Sequence, residues 1–357
     1  MKTDFLIIGG GVAGLSAAAR LAPLGSLTLL EAEDALAYHA SARSAALYEP
    51  RYGNPAVVAL SLASGDFYHG SDLLAPRGFM CVDTADQRDR FEHHLRAFQI
   101  EELSLDAARE IWPILNPGTI AFAGYAEHAW DIDTDLLLQR YTREARHAGA
   151  QILTRARVSA IRALPDGWAV EAGGVTHEAR ILINAAGAWV DEIAALAGVR
   201  PLGFTPMRRS MARIPAPPGM DVRHWPMVIG GNEDWYTKPD AGALLVSPAE
   251  EDPMPPQDAW ADDMILAEGL ARYEEAVTAP VTRIIANWAG LRTFAPDRAP
   301  VIGFDPTHPR FFWLAGQGGY GFQSAPAAAE LVADLIAERS PALDPAMVAL
   351  LSPARFG

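Results

Sequence analysis

Short, mostly apolar runs lie over Asp4–Ile8 (DFLII) and over Leu27–Leu30 (LTLL). Short runs with this composition are expected to be parallel strands buried on both faces. Between them lies LSAAARLA, a small-residue helix pattern that stops near Pro23 and Gly25. The first thirty residues therefore read as a complete βαβ unit. Further along, 86–95 and 132–148 carry helical patterns, while 152–163 (ILTRARVSAIRA), 168–171 and 179–183 read as strands. Turn signals at Pro165-Asp166-Gly167 and Gly173-Gly174 separate those strands. From 204 to 286 the pattern is short strands with many prolines, and 250–257 (EEDPMPPQ) is expected to be an exposed connection. Near the end, FFWLA (311–315) is another apolar strand, followed by GQGGYG and an alanine-rich helix over 324–337.

The two kinds of pattern alternate along the chain. They predict an α/β fold: a Rossmann-like dinucleotide domain from 1–78, 140–200 and 290–357, with an inserted α+β substrate domain on a mixed or antiparallel sheet from 79–139 and 201–289. A chain of 357 residues is long enough for two such cores.

Gly9-x-Gly11-x-x-Gly14 sits where the first strand turns into the first helix. Gly9 permits a tight turn, Gly11 lets backbone approach a pyrophosphate, and Gly14 lets helix and strand pack closely. The helix N-terminus offers free N–H groups and a positive dipole end to phosphate. Glu31 ends the second strand, where an acid can accept hydrogen bonds from a ribose diol. The fingerprint alone fits NAD as well as FAD. Two more small-residue turns follow strands, at Asn184–Trp189 and Gly316–Gly321. Three such turns around one extended cofactor favour FAD.

The net charge of −15 argues against nucleic acid or an anionic membrane as the main partner. A single cysteine, Cys81, leaves no disulfide within the chain. The nine histidines show no metal-ligand spacing, so no metal is expected. No apolar run reaches the length that spans a bilayer. These features point to a cytoplasmic protein, with peripheral attachment to the inner membrane left open. WDIDTD (130–135) is expected to be a helix start with a solvated face, and Asp297-Arg298 a local pair.

The sequence resembles the D-amino-acid oxidase superfamily of FAD-dependent oxidoreductases, and within it the bacterial D-arginine dehydrogenases. The resemblance covers nearly the whole chain. It is carried by IIGGGVAG (7–14), YHASARSAALYEPRYG (38–53), DIDTDLL (131–137), NAAGAWVDEIAALAGVRPLG (184–203), MRRS (207–210), HWPM (224–227), WYTKPDAG (235–242), WAGLRTFAPDRAPVIG (288–303) and AGQGGYGFQ (315–323). It implies noncovalent FAD and oxidation of a D-amino acid to an imino acid that hydrolyses to a 2-oxo acid and ammonium. It also implies an electron acceptor: a quinone, a respiratory carrier or O2. Arg292 matches the arginine that binds the substrate carboxylate, with Arg209, Tyr236 and Tyr52 beside it. Arg208 is an alternative to Arg209 for facing inward.

For the cofactor, the resemblance implies Gly9, Gly11, Val12, Ala13, Gly14, Glu31, Ser41, Arg43, Ser44, Ala45, Val158, Ala186, Gly187, Trp189, Gly290, Arg292, Gly318, Gly319, Tyr320, Gly321, Phe322 and Gln323. For the substrate side chain, it implies Leu47, Glu49, Phe79, Met227, Ile229 and Gln323. Phe79 replaces the acid that reads a guanidinium in the relatives, Leu47 replaces a histidine, and Glu49 replaces a small hydroxyl residue. An apolar or aromatic D-amino acid is therefore expected rather than D-arginine. Oxidation of N-methyl or secondary amino acids is an alternative, and an NAD-dependent dehydrogenase is one of another class. Of the histidines, His39 lies nearest the expected flavin loop.

Overall fold

A computed structural model of the protein describes residues 2–357. Lys2–Ile8 lies at the centre of an eight-stranded sheet. Leu27–Leu30 and Val175–Asn184 pair with it in parallel on either side. Gln151–Leu153 and Phe311–Ala315 extend the parallel order outward. Val158–Leu164, Gly167–Ala172 and Val301–Phe304 add antiparallel partners. The apolar runs are buried on both faces, with Leu6, Ile7 and Leu29 wholly covered. One face carries the helices Val12–Leu21, Thr134–His147 and Gly321–Ile336. The other is filled by Trp168, Val170, Val190, Phe311 and Trp313.

The glycine turn is fixed by space as well as by conformation. Gly9 has φ +109°, and a Cβ there would lie 2.3 Å from the Ala185 carbonyl oxygen. A Cβ on Gly14 would lie 1.9 Å from the Gly9 carbonyl oxygen.

The second sheet has nine strands. Its central order is Thr205–Pro215, Ala243–Ser247, Tyr236–Asp240, Met227–Gly230, Phe79–Asp83 and Phe122–Ala126. Ala286–Phe294 pairs antiparallel with Thr205–Pro215 over nine positions. The two-residue period of a strand sorts the side chains. Met80, Val82, Val228 and Val246 enter a core with Trp112, Trp235, Leu266 and Tyr273. Phe79, Cys81, Met211, Ile229, Tyr236 and Leu245 form a cluster on the opposite face. A small third sheet joins Leu47–Tyr48, Leu74–Pro76 and Trp130–Ile132.

Several local expectations are corrected. The run 152–163 is two strands, Gln151–Leu153 and Val158–Leu164, because Arg155 turns at φ +55° and donates its N–H to Glu33. The helix expected from 324 begins at Gly321. The start of 250–257 is not a free connection. Glu250 accepts from the Ser210 N–H, and Asp252–Pro253 pairs with Thr205–Pro215. Asp133 does cap the helix Thr134–His147, but Asp131 is no solvated acid, since it pairs with Arg77 and Lys238. Asp297 and Arg298 do not pair with each other. Asp297 binds Arg355, while Arg298 lies over the Phe294 ring and binds Glu251. The boundaries expected at 139/140 and 289/290 fall inside the helix Thr134–His147 and the strand Ala286–Phe294.

Gly14→Ala tests the packing at the glycine turn. We expect a loss of about 1–3 kcal/mol in stability from the forced separation of helix and strand, read as a lower Tm. An unchanged Tm would contradict that geometry.

Candidate active site

Three cavities run end to end between the two sheets. The first, of about 390 Å³, is lined by Gly9, Gly11, Glu31, Ser41, Arg43, Val158, Ala186, Gly187, Trp189 and Gly290. The second, of about 140 Å³, shares Gly11, Ser41, Arg43, Gly187 and Gly290 with it and adds Val12, Ala13, Gly318, Gly321 and Phe322. The third, of about 330 Å³, shares Ser44, Ala45, Arg209, Tyr236, Arg292 and Gly319 with the second.

The first cavity has the donors and acceptors a dinucleotide needs. The helix Val12–Leu21 begins at Gly11, which has no side chain to cap it. Ser41 Oγ accepts the Val12 N–H at 3.0 Å, which ties the 40–45 loop to that helix start. Glu31 is buried and accepts from the N–H groups of Gly10 and Glu33, at 2.7 and 2.9 Å. Each carboxylate oxygen keeps a second lone-pair direction for a sugar hydroxyl. The helix Gly321–Ile336 also starts without a side-chain cap, beside the second cavity. Two helix starts whose N-cap residues supply no side-chain acceptor, along one continuous space, fit an extended, doubly phosphorylated cofactor with an anionic ring.

The 40–45 loop is held from behind. Lys238 donates to the Ala45 carbonyl and to Asp131, at 2.7 and 2.6 Å. Arg43 donates to the carbonyls of Ala259 and Ala289 and to Asp258. His39 lines the first cavity, 3.2 Å from Glu33 and against Trp189, and not the third.

The third cavity is built around two arginines. In the antiparallel pair, Arg209 lies opposite Gly290 and Arg292 opposite Met207. The two arginines are thus diagonal neighbours on one face. Arg208 points the other way, to Asp252 and Glu250, which settles the choice between Arg208 and Arg209. Arg209 donates to the Glu250 carbonyl at 2.9 Å and to Glu251 at 3.2 Å. No hydrogen bond or ion pair from Arg292 to a described residue is present. Its guanidinium lies against Gly319, where a Cβ would come within 2.8 Å of it. Burial, then the nearby charge of Arg292, push the Arg209 pKa down. Burial alone would lower that of Arg292, but Tyr236, Tyr52, Tyr320 and Glu251 outweigh it and leave the pKa raised. An anion between the two groups would relieve both.

Tyr236 is buried, with the Arg209 guanidinium 6.0 Å from its ring centre. Tyr52 donates to Glu233 at 3.2 Å and packs edge-on against Tyr320. Burial and the Glu233 charge push the Tyr52 pKa up, so it remains a phenol. Leu47, Glu49, Phe79, Met227 and Ile229 complete the wall. Burial raises the Glu49 carboxyl from an ordinary 4.5 to about 7.

Three expected cofactor residues lie elsewhere. Gly14 lines none of the three cavities, because it sits beneath the helix against Gly9. Tyr320 and Gln323 line the third cavity only. The Gln323 amide is drawn there by the Tyr52 carbonyl, to which it donates at 3.0 Å. Sequence reasoning missed Glu233, Trp235, Ala249, Glu251 and Arg298, which also line the third cavity. Only the spacing of Glu233 and Trp235 from Tyr236 could have drawn attention to them.

A family model described as FAD dependent oxidoreductase (DAO) matches residues 4–335. The chain is 26% identical to glycine oxidase of Pseudomonas putida, covering 97% of this chain and 98% of that one. It is 27% identical to the tRNA 5-methylaminomethyl-2-thiouridine biosynthesis bifunctional protein MnmC of Thiobacillus denitrificans, over 98% of this chain. It is 26% identical to human mitochondrial dimethylglycine dehydrogenase, over its full length. It spans 59% and 44% of those two longer proteins. Its fold matches glycine oxidase from Geobacillus kaustophilus with a TM-score of 0.83 at 24% identity, covering 98% of both chains. The chain belongs to the DAO family of FAD-dependent oxidoreductases, and FAD is its cofactor. The NAD-dependent reading falls with that membership. Among the described residues, no helix is long and apolar enough to cross a membrane.

Glu49 supplies a pH test. Its folded-state pKa lies above the unfolded one, so its contribution to stability is fully present below about pH 4.5 and is lost as pH rises through about 7. Glu49→Gln lacks this titration. We expect its stability relative to the parent to improve by up to about 3 kcal/mol between pH 4 and pH 8, measured by denaturation at matched FAD occupancy. A difference that does not change with pH would contradict the assignment.

Proposed function

We propose that the chain oxidises the Cα–N bond of an amino acid whose carboxylate is held by Arg292 and Arg209. The observation that carries this is Arg292, which lines both the second and third cavities and has no acceptor among the described residues. A guanidinium grips a carboxylate through two parallel hydrogen bonds. Unpaired charge at a half-buried site is costly, so a small anion belongs there.

When bound along the first and second cavities, FAD supplies the acceptor for a hydride leaving the substrate α-carbon. The residues that would hold it are Gly9, Gly11, Val12, Ala13, Glu31, Ser41, Arg43, Ser44, Ala45, Val158, Ala186, Gly187, Trp189, Gly290, Gly318, Gly319, Gly321 and Phe322. The protein's share of the chemistry is placement. Arg292 and Arg209 fix one end of the substrate, and Tyr236 and the Tyr52 phenol close around it. Leu47, Phe79, Met227 and Ile229 give the cavity one apolar wall. The α-carbon loses a hydride and the nitrogen a proton. Water then hydrolyses the resulting imine to a 2-oxo acid and ammonium, or to a 2-oxo acid and an alkylamine where the nitrogen is substituted.

For the amine, we infer an N-alkyl or other secondary amino acid. The relatives whose names specify glycine, dimethylglycine and a methylaminomethyl group support it, because all three concern small or N-substituted amines. A D-amino acid with an apolar side chain is the second reading. Phe79, Leu47, Met227 and Ile229 favour it by offering apolar surface to such a side chain. Phe79 and Leu47 also remove polar groups that the D-arginine dehydrogenases use, so D-arginine is not the substrate we infer.

Anaerobic bleaching of the flavin by a panel of N-methyl, D- and L-amino acids separates these readings. We expect bleaching by N-alkyl amino acids, or by apolar D-amino acids if the second reading holds. Bleaching by L-amino acids alone would overturn both. In Arg292→Ala we expect kcat/KM to fall by at least roughly 100-fold, in line with the 3–5 kcal/mol typical of a broken buried charge pair, while FAD stays bound. Near-normal turnover in that variant would remove Arg292 from the site.

A further inference from the structure

The third cavity has a second polar end. Glu49 follows the strand Leu47–Tyr48 and is 1% exposed. Its Oε1 accepts the Arg51 N–H at 3.0 Å. Its Oε2 has no hydrogen-bond partner among the described residues. His128 Nε2 lies 3.5 Å away, but that nitrogen is 3.0 Å from the Phe98 carbonyl, which accepts its proton. The neighbouring wall of Leu47, Phe79, Met227 and Ile229 offers no donor. A buried acceptor left in this state costs about 1–3 kcal/mol, more when charged. The contacts of the Glu49 carboxylate are to Arg51 and His128 and none is to Arg292 or Arg209, so it is a second polar group of the same cavity and not part of the carboxylate clamp.

We propose that Glu49 is a specificity-determining residue. Its Oε2 accepts a hydrogen bond from a donor at the tip of the substrate's side chain or N-substituent, while the substrate carboxylate rests on Arg292. The inference rests on the Arg292 reading above and adds a substrate class: amino acids with an otherwise apolar substituent that ends in a donor such as a hydroxyl. The apolar walls accept the stem of the substituent, and Glu49 reads its end. A donor there also stabilises the ionised carboxylate, which burial otherwise disfavours.

Isosteric pairs test the proposal at pH 8. D-Homoserine would be compared with D-norvaline, and N-(2-hydroxyethyl)glycine with N-propylglycine. Whichever amine class is oxidised, we expect the hydroxyl member to be favoured by roughly 10- to 100-fold in kcat/KM, the range of hydrogen bonds to charged groups. Glu49→Leu should abolish or reverse that preference. Glu49→Gln keeps an acceptor oxygen and should retain part of it. Flavin absorbance per protein reports whether each variant holds FAD. If Glu49→Leu does not, the reduced preference in Glu49→Gln carries the test. Equal rates for both members of the oxidised pair, or a preference unchanged in the variants, would overturn the role of Glu49 while leaving Arg292 in place. If both members are oxidised and neither depends on Arg292, the clamp reading fails instead.

Discussion

Two guanidinium groups, Arg209 and Arg292, face the same enclosed space, and each makes the other's charge more costly. Arg209 is answered by the Glu250 carbonyl and by Glu251. Arg292 makes no hydrogen bond or ion pair with a described residue, and its surroundings are phenol rings, the Gly319 backbone and, farther off, the Glu251 carboxylate. Much of the surrounding architecture serves to hold this pair at the junction of two cavities. The long antiparallel pairing of Thr205–Pro215 with Ala286–Phe294 sets their diagonal spacing. A shift of one residue in that register would put the two arginines on opposite faces of the sheet. Arg208 already faces the other way and finds its acids there. The glycines of the 316–321 turn let the backbone close over the Arg292 head.

The rest of the fold supplies what must lie beside that pair. The parallel sheet ends its strands at the glycine turn and at Glu31, placing two helix starts along the cofactor space. The loop from Ser41 to Ala45 crosses from one sheet's territory to the other and is tied at several points, by Ser41 to Val12, by Arg43 to Ala289, and by Lys238 to Ala45. Lys238 is in turn fixed by Asp131, which also holds Arg77. None of Arg77, Asp131 and Lys238 lines the third cavity. The physical effect of this ionic cluster is to keep the loop from moving away from the second cavity.

Much of this was legible in the sequence. DFLII, GGGVAG and LTLL predict their own structure because each is local: an apolar run, glycines forced by backbone approach, a second apolar run. FFWLA followed by GQGGYG is readable for the same reason. Arg292 lies in the apolar stretch WAGLRTF, and the resemblance implies its role. The partners of Arg292's neighbours were not legible. Asp297 and Arg298 are adjacent, yet the turn at Arg298, with φ +63°, sends them to Arg355 and Glu251. Asp131 looked like part of a helix start, but the small sheet at Trp130–Ile132 turns it toward Lys238. Glu233 and Glu251 enter the cavity from connections without periodicity, so no sequence pattern marks them. The environment of Glu49 likewise depends on His128 and Phe98, which lie far from it along the chain.

The central claim is that Arg292 holds a carboxylate. Pentanoate carries that carboxylate without an amine, so it can bind without being oxidised. Titration of the oxidised flavin spectrum with pentanoate, in the parent and in Arg292→Met, isolates this interaction from chemistry. We expect a saturable spectral change in the parent and a Kd weaker by roughly two orders of magnitude in the variant, with FAD retained in both. Equal dissociation constants would contradict it.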